Sequence, residues 1–203
     1  MNPGPSARLR ADVIGASLLA ITLAWTPFID RQDIVKLFVA SLGATILALV
    51  SLRDRSVHGV VLGCVSIVSS TVFLLIPDFR DGIESWSVLS LGAFAVWAGD
   101  GCSPRRLSGW IVLSAVVQAA LAISALLGDP LGLSSEVAFR GRRAVGTFGN
   151  PTLLGVWLAA CLPICVVRRS TSSVFAAGLV TAGIFATQSR VGIAMSVITL
   201  GWM

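Results

Sequence analysis

Long apolar runs recur along this chain with only short polar breaks, and a run that is apolar all round has no face to give to water. A helix crosses a hydrocarbon core with roughly 17 to 25 residues. On that ruler the runs predict spans near residues 12–29, 34–52, 58–77, 85–100, 107–127, 151–167 and 173–188. An eighth begins near 190 and reaches Met203. That is about 21 Å of helix at 1.5 Å per residue, short of the roughly 30 Å core. The expectation is an all-α, polytopic membrane helix bundle with about seven complete spans and a truncated eighth. All of residues 1–203 fall in a single transmembrane domain. Composition agrees, since 12% of the residues are charged where soluble domains carry about a quarter. A membrane barrel is excluded, because its strands would alternate polarity over roughly ten-residue segments.

Loop arginines set the orientation. Arg8 and Arg10 lie in the N-terminal tail, Arg53 and Arg55 two crossings later, then Arg105 and Arg106, then Arg168 and Arg169. Each pair falls on the same face, which is the cytoplasmic one by the positive-inside bias. The net charge of +5 is explained that way and calls for no nucleic acid; no basic amphipathic helix or aromatic-rich strand pattern accompanies it. The first apolar run has no A-x-A cleavage site after it and reads as a retained span rather than a signal peptide. Alternate loops are net acidic: Asp30 and Asp33 stand against Arg31, and Asp78, Asp81 and Glu84 against Arg80.

Loop 128–150 breaks that pattern. It falls outside, yet carries Arg140, Arg142 and Arg143 against Asp129 and Glu136. The same stretch, "FRGRRAVGTFGNPTLLG", holds Gly146 and Gly149, which permit backbone conformations or close approaches closed to other residues. Asn150 and Pro151 then form an N-cap and N1 pair for a helix whose positive end faces outward. Further on, Ser189 can cap the eighth helix, and Arg190 lies at the same membrane edge. Arginines, glycine amides and a helix N-terminus together describe an anion site, and phosphate suits it. Contact with lipid phosphates or with the two loop acids is the plainer alternative for the three loop arginines, and snorkelling for Arg190.

The run "RRAVGTFGNPTLLGVWLAACLPI", followed after one span by "ATQSRVGIAMSV", resembles the start of the conserved region of the O-antigen ligase and O-antigen polymerase family of bacterial membrane proteins. The resemblance covers residues 139–203. Thr152 stands where the family usually has asparagine, and Val191 where it usually has glycine. The resemblance implies a bacterial cytoplasmic-membrane protein that handles an undecaprenyl-pyrophosphate-linked glycan at the outer face. The acceptor is lipid A core or another glycan. It further implies that Arg190 holds the lipid pyrophosphate, with Arg142 and Arg143 near the family's basic position before the glycines. No metal or other cofactor is required. Family members carry an outer-loop histidine that these 203 residues do not reach, so no independent transferase activity is expected of them. His58 is placed in a cytoplasmic loop as a solvated side chain.

Other polar residues read as structural. Cys161 and Cys165 share a helix face at i, i+4 with no histidine or carboxylate nearby in sequence, which suits small buried residues better than a metal site. Gln118 lies mid-span and is expected to bond to another helix. Asp100 is expected beside Arg105 and Arg106. Two other classes of function stand beside the first. An anion transporter or channel would line several spans with buried charge, whereas Lys36 lies near a span end. A non-catalytic membrane scaffold or remnant would need helix packing alone.

Overall fold

In a computed structural model, residues 4–23, 32–53, 57–75, 102–128, 139–140, 143–144, 146–148, 150–167 and 170–201 are described. They form α1 (Pro5–Leu23), α2 (Gln32–Arg53), α3 (Val57–Leu75) and α4 (Pro104–Leu126). A short antiparallel pair follows, β1 (Phe139–Arg140) with β2 (Arg143–Ala144), then a 3-10 turn at Gly146–Phe148. The chain ends in α5 (Pro151–Val167), α6 (Thr171–Thr187) and α7 (Arg190–Gly201). The all-helical expectation holds apart from that two-residue pairing. The span predicted at 85–100 lies outside the described residues.

Seven full spans are not what the helices provide. Among the described residues one helix, α4 with 23 residues, is long and apolar enough to cross a membrane. The 17 residues of α5 and of α6 rise about 25 Å at 1.5 Å per residue, under the roughly 30 Å core. The 12 residues of α7 rise less still. The helix assigned to the first span starts earlier than the apolar run, and its opening turns carry Arg8, Arg10 and Asp12. The runs expected at 151–167 and 173–188 are helices with nearly those bounds, and they are too short rather than misplaced. Membrane association therefore rests on α4.

The chain divides into two compact units, Met1–Trp110 and Ile111–Met203. In the first unit α1 and the start of α4 run parallel. The Ser103 amide donates to the Ala7 carbonyl at 3.2 Å. One turn on, Arg106 pairs with Asp12, and the Trp110 indole N–H donates to Asp12 Oδ1 at 3.2 Å. Gly15 lies beneath the Trp110 ring, where an added Cβ would fall 2.1 Å from the indole Cγ. Asp100 lies outside the described residues, and the carboxylate that meets Arg106 is Asp12. Beside this junction, burial pushes the half-buried Cys102 thiol up, with Arg10 opposing.

The second unit is built on small residues. Gly155 and Gly192 bring α5 and α7 into backbone contact: a Cβ on Gly192 would stand 2.9 Å from the Cα and carbonyl carbon of Gly155. Gly183 of α6 meets Ala119 of α4 as closely, with an added Cβ 2.7 Å from the alanine Cβ. Leu154, Leu158, Leu162, Val180 and Ile184 fill the space between these crossings. Buried among them are Ser114, Gln118, Ser124, Ser173, Thr187 and Ser189, while Val174, Phe175, Phe185, Val197 and Ile198 face outward. Small and hydroxyl-bearing residues at the closest helix crossings, with large apolar side chains also facing outward, suit helix contacts made in lipid. Substituting Gly192→Ala should lower the unfolding free energy by about 1–3 kcal/mol, as overpacking does, with Gly201→Ala, which meets nothing within 4 Å, as the neutral control in the same thermal-unfolding series.

Candidate anion-binding site

The residues singled out around 140–150 and 190 meet at one end of the Ile111–Met203 unit. Asn150 Oδ1 accepts from the Thr152 amide at 2.8 Å and Pro151 opens α5 at N1, as the sequence predicts. Thr152 offers its backbone amide to that cap. Ser189 caps α7, its Oγ accepting from the Gly192 amide at 3.0 Å. Because Gly192 lies on Gly155, the two capped helix starts are held side by side. Both present the positive end of a helix dipole at that end.

The corner between α6 and α7 is tight. Thr187 Oγ1 donates to the Ile184 carbonyl at 2.7 Å and accepts from the Ser189 amide at 3.2 Å. Gln188 takes a left-handed conformation, φ +50°, where glycine or asparagine is usual. Arg143 spans this corner, its Nε donating to the Thr187 carbonyl at 3.2 Å and its Nη2 to the Gln188 carbonyl at 3.3 Å. Its charge thus sits at the negative end of α6, which stabilises by about 0.3–1 kcal/mol.

Arg190 has the opposite setting. It is the first residue of α7, exposed, and without a hydrogen-bond or ion-pair partner among the described residues. A cation at a helix N-terminus is unfavourable by a similar 0.3–1 kcal/mol or so, a penalty that a bound anion would reverse. The two arginines therefore differ in setting: Arg143 bonds to the carbonyls that end α6, and Arg190 is exposed at the start of α7 with no partner among the described residues.

Gly146 has φ +52° and lies close to α4 and α5, where an added Cβ would stand 3.1 Å from both Gln118 Oε1 and a Leu154 methyl. The next residue, Thr147, donates to Gln118 Oε1 at 3.2 Å. Gln118, buried in α4, accepts that bond from the turn and so helps to fix the loop that carries Arg143. Phe148 stacks obliquely on Trp157, ring centres 6.2 Å apart. The Trp157 Nε1 is buried without a partner among the described residues.

Of the other expected site residues, Arg140 enters through its backbone, paired with Arg143 across β1 and β2, and its side chain lies outside the described residues. Arg142 and Gly149 also lie outside them. His58 is the second residue of α3, in the other unit. Among the described residues of Ile111–Met203 there is no histidine, aspartate or glutamate. Nothing described there competes with an incoming anion, and no described group of three or more metal-ligating side chains occurs anywhere. Comparison with protein-family models, with curated proteins and with solved structures finds no match to this chain.

Replacing Arg143 by alanine strips two carbonyls of a charged donor and should lower stability by about 1.5–3 kcal/mol. Gln188→Gly, which relieves the left-handed backbone, should raise it by about 0.4–1 kcal/mol. Denaturant unfolding of the two variants against the parent reads both signs.

Proposed function

We propose that the end of the Ile111–Met203 unit formed by the starts of α5 and α7 binds the pyrophosphate of a polyprenyl-linked glycan. The protein is then an O-antigen ligase-like component of the bacterial cytoplasmic membrane with its N-terminus on the cytoplasmic side. The carrying observation is that Arg190, exposed and unpaired among the described residues, stands at the start of a helix held beside a second capped helix start. The motif resemblance over 139–203 supplies the identity of the anion, and the large apolar side chains facing outward support a lipid surrounding.

In glycan transfer an acceptor hydroxyl oxygen attacks the anomeric carbon and the bond to the pyrophosphate oxygen breaks. The electron pair leaves with the pyrophosphate. Arg190 and the amides at the two helix starts would meet the charge that develops on that leaving group, which is electrostatic catalysis by preorganised donors. The hydroxyl proton needs a base, and the described residues of this unit offer none. The reading therefore concerns the glycan donor, with lipid A core or a second glycan as acceptor.

Arg190→Ala should weaken binding of undecaprenyl pyrophosphate by about 10- to 100-fold, the value of one charge-assisted contact of about 1.5–3 kcal/mol. Arg190→Lys should recover part of the loss, since it keeps the charge and loses the planar fork. Equal affinity of parent and alanine variant in a titration would sink the proposal.

A further inference from the structure

The chain turns from α6 into α7 through two residues, Gln188 and Ser189, and nothing in the local sequence calls for a break there. From Ile184 to Val191 there is no glycine or proline, and glutamine is a good helix former. Yet Gln188 is left-handed at φ +50°, the one non-glycine residue with positive φ among the described residues. That conformation crowds a Cβ against the following carbonyl oxygen, so every L-residue that carries one is strained by it. A break that the local sequence does not favour has to be held from elsewhere.

The bonds at the break show what holds it. In a helix that ran on, the Thr187 and Gln188 carbonyls would accept from the amides four residues later, those of Val191 and Gly192. Both carbonyls accept from Arg143 instead, at 3.2 and 3.3 Å. The Gly192 amide donates to Ser189 Oγ at 3.0 Å, and the Ser189 amide to Thr187 Oγ1 at 3.2 Å. Side chains therefore stand in for backbone partners on both sides of the break. The two hydroxyls belong to the corner and travel with it. Arg143 does not: it comes from β2, 44 and 45 residues away from the carbonyls it meets, and β2 is paired to β1. Undoing the break strands neither the Gln188 carbonyl nor the Gly192 amide, because the two can pair with each other as in any helix.

We infer that Arg143 is a latch. It holds the α6–α7 corner in its broken form, and drawing β2 away lets Gln188 return to a right-handed backbone and loosens the start of α7. The fold thereby carries a conformational device in which the strand pair ahead of α5 sets whether the corner stays closed. The latch depends on the corner's own bonds and on no ligand at Arg190.

The test is hydrogen–deuterium exchange of the full chain in neutral detergent, read by mass spectrometry at residues 184–193 and, as a reference in the same unit, at the middle of α4. Arg143→Ala should speed exchange at 184–193 by about 10- to 100-fold, the value of the lost charge-assisted bonding, while α4 exchanges as in the parent. Arg143→Lys, which keeps a cation and loses the planar fork, should give a smaller rise at the same residues, and it carries the test if the alanine variant does not fold. Gln188→Gly and Gln188→Ala remove the same side chain, so their difference reads the backbone alone. The alanine variant should exchange about 5- to 30-fold faster at the corner than the glycine variant, since glycine takes the left-handed form with no Cβ to crowd. Adding Gln188→Gly to Arg143→Ala should return part of the lost protection. An equal rise in α4 would make Arg143 an ordinary contributor to stability and overturn the latch. So would a corner that exchanges at the parent's rate in the Arg143 variants, or equal rates in the two Gln188 variants.

Discussion

The contact of Gly155 with Gly192 is the constraint on which the second unit depends. Two helix backbones approach so closely there that a single added carbon would stand 2.9 Å from the neighbouring chain. In lipid there is little hydrophobic gain from pressing helices together, so close backbone packing and buried hydroxyls have to supply the attraction. Ser189 serves both ends: its side chain caps α7, and its Cβ lies against Gly155, 2.8 Å from where a Cβ on that glycine would stand. Fixing this crossing fixes the two helix starts side by side, and so fixes where Arg190 emerges.

Arg143 and Arg190 show how two like charges near one corner can play unlike parts. Arg143 is spent on carbonyls at the end of α6, where a cation is welcome. Arg190 stands at the start of α7, where it is not. The left-handed Gln188 between the two helices stores a little strain of its own and is held by the carbonyl contacts of Arg143. A buried polar link, Thr147 to Gln118, anchors the loop that delivers Arg143. Fold and candidate site are thus built from the same few residues.

The first unit solves a different problem. Its arginines sit at helix starts, their only described carboxylate partner bound within the junction that joins α1 to α4. Arg106 and Asp12 are both substantially exposed, at 49% and 37%, so the ion pair itself contributes little, about 0–1 kcal/mol. Its use is geometric. Together with the Ala7–Ser103 bond and the glycine beneath Trp110, it sets two parallel helices in register.

Helix identity was written in the sequence, because apolar runs without alternation leave no other backbone arrangement satisfied. Local signals were equally legible: Asn150 and Pro151 start α5, and Ser189 starts α7, as their chemistry requires. The sequence also singled out Arg140, Arg142, Arg143 and Arg190, of which Arg143 and Arg190 have described side chains. What the sequence overstated was the number of spans: α5, α6 and α7 are short against the membrane core, and α4 is the one helix long and apolar enough to cross among the described residues. The sequence could not divide labour between the arginines, for that depends on which helix end each meets. The bond from Thr147 to Gln118, 29 residues apart, and the pairing of Arg106 with Asp12 were not legible in the sequence. Charge and capping are local properties that a sequence carries within a turn or two. Partnership across the fold is decided by close contacts such as Gly155 on Gly192, which form only when distant segments are brought together.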